Sequence, residues 1–206
     1  MLQEKIQEKT YMKANSFNTI VIILSMSLSL VLQVNAQTQY TKTPSDHEGP
    51  FYPVEQQADE DNDLVNVNGK SESARGDILH VHGVVVDQQG NPQADVTIEI
   101  WQTDANGLYR HPRERAQGPR DPFFQYWGKA DTDTDGRYSF TTLIPGEYAP
   151  RPPHIHFKVW VDGEVVLTSQ MYIVADGNQP RVNEQLKLEI ERNSNGEHSG
   201  FFRIVI

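Results

Sequence analysis

From residue 77 onward, apolar and polar positions alternate with a period of two. Alternation puts successive side chains on opposite faces of an extended chain, so it predicts half-buried strands. Residues 78–87 read as the first strand and 96–101 as the next, with Val96, Ile98 and Ile100 on one face. Further strands are predicted over 137–142, 154–161, 165–174 and 201–206, while 185–191 fits either a strand or a short helix. Turn residues separate them: Gly90, Asn91 and Pro92 after the first, and the stretch 132–136 before the strand at 137. Residues 113–121 are charged, carry Gly118 and Pro119, and read as a loop. No amphipathic helix of useful length and no internal repeat is visible. Short strands at regular spacing predict an all-β fold, a single-domain β-sandwich with long loops over 77–206.

Ahead of residue 77 the alternation is absent. Residues 37–76 form an N-terminal extension and loop: 37–48 is polar and reads as loose, 49–53 is turn-rich and aromatic, and 56–76 is acidic and reads as a long surface loop. Residues 20–34 are an apolar run diluted by serines, preceded by Lys13 and followed by the small-residue pattern Val34, Asn35, Ala36. This predicts a signal peptide over 1–36 and a mature start at Gln37. Glu4 and Glu8 are unusual ahead of such a run, and Met12 offers a more ordinary initiator. The run is short for a span of ~20 apolar residues, so no stable membrane insertion is expected. The expected location is exported, periplasmic or extracellular.

Charge narrows the partners. The chain has 18 basic and 28 acidic residues, a net charge of −10, and removing the leader's three lysines and two glutamates makes the body more acidic still. That argues against nucleic acid and against an anionic membrane surface. There is no cysteine, which excludes disulfides, thiolate catalysis and iron–sulfur clusters.

The chemistry concentrates in two segments, 104–109 and 145–156. Tyr109, Tyr148, His154 and His156 supply two phenols and two imidazoles, a donor set suited to ferric iron. Phenolate is a hard anionic oxygen donor that favours Fe(III), and imidazole accepts iron, zinc or copper. On a strand, His154 and His156 share a face with Lys158 and Trp160, opposite Ile155, Phe157, Val159 and Val161. His-x-His alone is more often a pair of surface or core histidines. The nearby Tyr148 and Arg151 make this pair a metal candidate. His80 and His82 have the same spacing with no tyrosine, acid or arginine close by, and read as strand-facing residues. Asp131, Asp133, Asp135 and Gly136 resemble the start of a calcium loop, but the twelfth position is Thr142 where a glutamate is needed, so a hairpin turn is expected. Gly-x-Ser-x-Gly, phosphate-cradling glycine loops and His-Glu-x-x-His are absent from the sequence, which leaves hydrolase and nucleotide readings without support.

These residues resemble the intradiol ring-cleavage dioxygenases, most of all their protocatechuate 3,4-dioxygenase β-type branch. The resemblance runs from Gly49, Pro50, Phe51 and Tyr52 to about Asp176. It includes the stretches 96–102, 107–111 and 135–140, then Arg151, Pro152, Pro153, His154, Ile155, His156, Phe157, and Ser169, Gln170, Met171, Tyr172. It implies a β-sandwich core and a ferric iron held by Tyr109, Tyr148, His154 and His156. Tyr109 is then the tyrosine that stays on the metal, and Tyr148 the one that leaves when substrate binds. Arg151 matches the arginine beside the substrate, and Gln170 the glutamine near the iron. One departure is a shorter connection: only Ala149 and Pro150 separate Tyr148 from Arg151.

The implied reaction takes a small aromatic diol and dioxygen. The diol binds Fe(III), the departing Tyr148 phenolate takes its second proton, Arg151 stabilises developing negative charge, and a cis,cis-muconate-type diacid results. Two alternatives stand beside it. A secreted β-sandwich binding module without catalysis has no use for this donor set, and a zinc hydrolase needs a third ligand and an acid. The ring substituent, a homo-oligomer and an α-type partner chain stay open at this level.

Overall fold

The computed structural model describes residues 39–55, 59–175, 177 and 179–206. The leader over 1–36, the starts at Met12 and Gln37, and the acidic stretch's first residues lie outside these. No helix among the described residues is long and apolar enough to cross a membrane.

Among the described residues eight strands form: β1 (Ile78–Val86), β2 (Thr97–Trp101), β3 (Trp127–Asp131), β4 (Arg137–Leu143), β5 (His154–Val161), β6 (Glu164–Val174), β7 (Lys187–Arg192) and β8 (His198–Val205), with one 3₁₀ turn at Glu184–Leu186. The fold is all-β, as the alternation predicts. Their hydrogen-bonded order is β3-β2-β5-β6-β7-β8-β1-β4. The ribbon turns over at β7, whose first half pairs in parallel with β6 and whose second half pairs antiparallel with β8. Two leaves result, and their apolar faces meet. Ile98, Ile100, Ile155, Phe157 and Val159 from one leaf and Val81, Phe140, Phe202 and Ile204 from the other form one buried cluster. The rings of Phe157 and Phe202 touch across it at 5.7 Å between centroids.

Three expectations need correction. β3 has no counterpart in the alternation, because Trp127, Gly128, Lys129, Ala130 and Asp131 carry no period-two apolar pattern. It pairs with β2 over its whole length and owes its strand conformation to that neighbour. Residues 59–65 are not free surface loop. Leu64 and Val65 enter the core, and backbone hydrogen bonds from Leu64 N to Thr141 O, Thr141 N to Asn62 O and Lys129 N to Glu60 O tie the segment to β3 and β4. Nor is the stretch 43–48 loose; with the aromatic entry at 49–52 it forms one segment. Asp46 N donates to Thr168 O, Ser169 Oγ to Pro44 O and Gln170 Nε2 to His47 O, so it lies as a strap across the outer face of the β2-β5-β6 leaf. The strap buries the polar face of β5, which is why His154, His156 and Lys158 are buried although they point away from the core.

Candidate metal centre

Two loops and one strand bring the candidate residues together. Beyond β2, the Asp104 carboxylate accepts from the backbone N–H of Asn106 and Leu108, closing a tight turn that delivers Tyr109. Gly107 sits at φ +76°, and a Cβ there would meet the Glu147 carbonyl oxygen at 2.1 Å. Only glycine permits that approach. The approach matters because residues 146 and 147 lead into Tyr148, and Gly146 N donates to Asp104 O at 2.9 Å. The two tyrosine-bearing loops are therefore stitched to each other. Tyr109 and Tyr148 meet edge to face with centroids 5.6 Å apart, and Phe51 of the strap stacks on Tyr109 at 4.7 Å.

β5 begins at His154, and its alternation turns His154 and His156 to the same side. The His154 Nε2, His156 Nε2 and Tyr109 hydroxyl form a triangle: 3.1 Å between the two imidazole nitrogens, 3.1 Å from His156 to Tyr109 and 3.5 Å from His154 to Tyr109. Donor atoms about 2.0–2.1 Å from a shared cation lie about 3–3.4 Å apart, so these three atoms stand at ligand spacing. His154 Nδ1 donates to Pro152 O at 2.7 Å, which leaves the Nε2 lone pair facing the triangle.

Electrostatics prepare the same atoms. Burial lowers the His154 pKa to about 4, against an opposing pull from the Pro152 carbonyl. Burial, His154 and Arg151 hold His156 well below the usual imidazole range. Both rings are neutral at neutral pH, as metal ligation requires. The Tyr109 phenol is pushed above its ordinary range, chiefly by burial, with Arg151 opposing. A phenol so placed ionises only beside a strong positive charge, which a bound ferric or similar cation supplies. The residues present therefore fit a metal with hard and borderline donors. Among the described residues no group of three or more His, Asp or Glu side chains converges in the same way.

Tyr148 is half-buried, on a turn closed by Arg151 N donating to Tyr148 O at 2.9 Å. No hydrogen bond joins it to the triangle, and it stands beside Tyr109 at the opening. Burial and then Glu114 raise its pKa, with Arg151 opposing. Arg151 Nη2 donates to Gln170 Oε1 at 2.6 Å and to the Tyr172 hydroxyl at 2.7 Å, and that hydroxyl donates to the Asp46 carboxylate at 2.8 Å. Gln170 is the cross-strand partner of His156 and is fully buried. Asp46, Phe51, Trp101 and Tyr172 are residues to which sequence reasoning gave no role. Tyr172 and Trp101 follow from strand register, but the strap's contacts have no sequence signal.

The other motifs do not build a comparable centre. His80 pairs with Glu197 at 3.1 Å, and the exposed His82 lies against Phe201. Asp133 accepts from Asp135 N and Arg137 N, and Asp131 accepts from Thr97 Oγ1, so these carboxylates shape a tight turn, but not the expected hairpin: β3 and β4 do not pair, and the turn carries the chain from one leaf to the other.

Comparison with known proteins places the chain in a family. The family profile described as Dioxygenase matches residues 47–183. The protocatechuate 3,4-dioxygenase beta chain of Burkholderia cepacia is 36% identical over 140 residues, 64% of this chain and 59% of that one. Catechol 1,2-dioxygenase 1 of Acinetobacter lwoffii is 29% identical over 153 residues, 65% of this chain and 47% of that one. The chain thus spans about half the length of the curated relatives it matches. Among solved structures, the dioxygenase domain of a dioxygenase carbohydrate-binding fusion from Streptomyces sp. SirexAA-E superposes with a TM-score of 0.64 at 27% identity, covering 81% of this chain and 98% of that one. On the family match and the shared motifs, the chain belongs to the intradiol ring-cleavage dioxygenases.

Proposed function

We propose that the protein is a non-haem Fe(III) enzyme that cleaves a catechol-type ring between its two hydroxyl-bearing carbons with dioxygen, giving a cis,cis-muconate-type diacid. The observation that carries this reading is the triangle of Tyr109, His154 and His156 donor atoms, flanked by Tyr148 and Arg151. Tyr109, His154 and His156 would hold the metal permanently, and Tyr148 would be a fourth, exchangeable ligand. Ferric iron, when bound, would act as a Lewis acid that favours loss of both diol protons, and by drawing electron density from the resulting dianion it would give the ring the partly radical-like character that lets it react with dioxygen.

The protein's own groups do the rest. Tyr148, at the opening, takes the second catechol proton on its phenolate oxygen. Arg151 is permanently cationic and is fixed by Gln170 and Tyr172, so it meets developing negative charge without reorganising. Gln170 contributes through that grip on Arg151 and through its place beside His156. Phe51 and the strap keep water off the buried donors. Only Ala149 and Pro150, both exposed, lie between Tyr148 and Arg151, so little wall stands there and catechols with varied substituents should enter. A binding module without catalysis would not need these groups.

Export of the chain belongs to the same proposal and rests on the apolar run before Val34, Asn35 and Ala36. Intact mass of the exported protein should correspond to a start at Gln37, and a cell-retained form still carrying residues 13–36 would overturn it. For the reaction, the purified protein should contain iron and be red to purple. It should convert catechol, protocatechuate and alkyl- or chloro-catechols to diacids carrying both atoms of labelled dioxygen. A colourless, zinc-loaded active protein would refute the metal, semialdehyde products would refute the regiochemistry, and activity confined to protocatechuate would refute the open site.

A further inference from the structure

The two histidines of the triangle are oriented by different means. His154 has the Pro152 carbonyl on Nδ1, a hydrogen bond that sets its tautomer and ring plane. His156 has no such bond. Its Nδ1 is buried and without a hydrogen-bond partner among the described residues. The His47 carbonyl lies close enough to act on the ring as a weak hydrogen-bond acceptor that raises its pKa, but it does not meet the geometry of a full hydrogen bond to Nδ1, and its short bond is the one it accepts from Gln170 Nε2 at 2.6 Å.

What the His156 ring does have is a flat neighbour. Trp101, its cross-strand partner, is 1% exposed and lies parallel to it, 4.9 Å between centroids with 7° between planes. Against the imidazole from another direction lies Gly49, where an added Cβ would come within 3.2 Å of Cε1. The ring is thus held by packing. The Trp101 indole N–H is itself buried and unpartnered, so no full hydrogen bond holds either ring of the stack.

The indole is in turn backed by a column. Tyr52 meets Trp101 edge to face at 5.0 Å. The Tyr52 hydroxyl donates to the buried Glu99 carboxylate at 2.9 Å, and the Lys158 ammonium sits 3.5 Å above its ring and 5.8 Å from the Trp101 ring. Lys158 pairs with Glu48 of the strap at 2.9 Å, its side chain 10% exposed. Lysine is rarely buried this far unless paired, and the cation over an aromatic face is attractive where water is excluded. Lys158 shares the face of β5 with His154 and His156, yet nothing in the proposed reaction uses it.

We propose that Trp101 is a positioning residue of the metal centre: its indole, in place of a hydrogen bond, fixes the plane of the His156 imidazole, and the Glu48–Lys158–Tyr52 column holds the indole there. The inference rests on the metal reading of the preceding subsection. Trp101 touches neither substrate nor metal in this role. It acts through His156, as hydrogen-bonding residues behind metal-bound histidines do elsewhere.

The test compares Trp101→Leu, Trp101→Phe and Lys158→Met with the unaltered protein. Trp101→Leu removes the flat face, Trp101→Phe retains one, and Lys158→Met loosens the column while Glu99 still holds Tyr52. Iron affinity should fall about ten- to hundredfold in Trp101→Leu, the range typical for losing an orienting neighbour of a metal-bound histidine. The tyrosinate charge-transfer band and the Fe(III) EPR signal of the remaining holo-protein should broaden. Trp101→Phe should recover most of both, and Lys158→Met should move them less in the same direction. In the metal-free protein, the His156 ring protons should be shifted upfield by the indole, and this shift should vanish in Trp101→Leu. Unfolding midpoints of each variant separate a local effect from a loss of fold. Wild-type iron affinity and line shape in a folded Trp101→Leu would overturn the proposal, as would Trp101→Phe failing as fully as Trp101→Leu. If the unaltered protein takes up no iron, the metal reading fails. The metal-free ring shifts still decide whether Trp101 orients His156: their persistence in Trp101→Leu would overturn it.

Discussion

Tyr109 and Tyr148 carry the same phenol in different surroundings, and the difference predicts different mutants. Tyr109 is buried beneath Phe51, within 3.1 Å of His156 Nε2. Tyr148 is half-buried on an exposed turn, with no hydrogen bond to the histidines. Tyr109→Phe and His156→Ala should each lose iron on dialysis, because each deletes a donor from the triangle. Tyr148→Phe should keep more iron and turn over slowly, because the proposed proton acceptor would be gone. His80→Ala and His82→Ala should leave iron content unchanged, and its loss from either would show that the metal centre belongs to the pair on β1 and not to that on β5. Arg151 offers a second test at this scale. One of its nitrogens donates to both Gln170 and Tyr172, so a planar fork is fixed in place. Arg151→Lys substitutes a point charge on a flexible stem. Turnover should then fall by more than catechol affinity does, and equal losses of kcat/KM through binding alone would contradict a role in charge stabilisation.

At the level of elements, period-two patterning located β1, β2, β4, β5 and β6 to within a residue at most ends, because each has one apolar face in the core. β3 escaped because its partners, not its own residues, make it a strand. The segment 185–191 was ambiguous for a physical reason, since it is both: a 3₁₀ turn, Glu184–Leu186, runs directly into β7. The candidate residues were legible because His154 and His156 are two apart on one strand and Tyr109 and Tyr148 follow turn glycines. Their surroundings were not legible, because the strap closes contacts across more than a hundred residues, as from Asp46 to Tyr172. One element-scale device is open to direct test. The 1% exposed Glu99 on β2 accepts from Tyr52, Trp127 and Trp160, joining the strap, β3 and β5 through one carboxylate. Glu99→Gln replaces one accepting oxygen with a donating amide and removes the charge opposite Lys158. The loss should be about 2–4 kcal/mol of unfolding free energy by urea titration. A change under 0.5 kcal/mol would mean that the three donors find other partners.

For the molecule as a whole, the candidate centre makes stability depend on pH and metal together. His154 has a folded pKa of about 4 against 6.5 for a free imidazole, and His156 is shifted the same way. Depressed folded values mean that the unfolded chain binds these protons more readily than the folded one. The folded state is therefore favoured fully above pH 6.5 and loses stability as pH falls from there toward 4. For His154 the ceiling is about 3 kcal/mol, from the cost of each pH unit. His156 adds to the same slope, though the two rings face each other and titrate as a pair. In the metal-free protein, unfolding free energy should decline between pH 6.5 and 4, and the decline should shrink in His154→Gln. On the proposed reading iron would bind the neutral rings and the Tyr109 phenolate, so loading should raise stability most at neutral pH and release protons as it does so. The slope that remains in His154→Gln is the contribution of the other groups of a chain with net charge −10. A metal-free protein with flat stability from pH 6.5 to 4.5, or iron uptake without proton release in weakly buffered solution, would show that the buried imidazoles are not the groups that couple fold to metal.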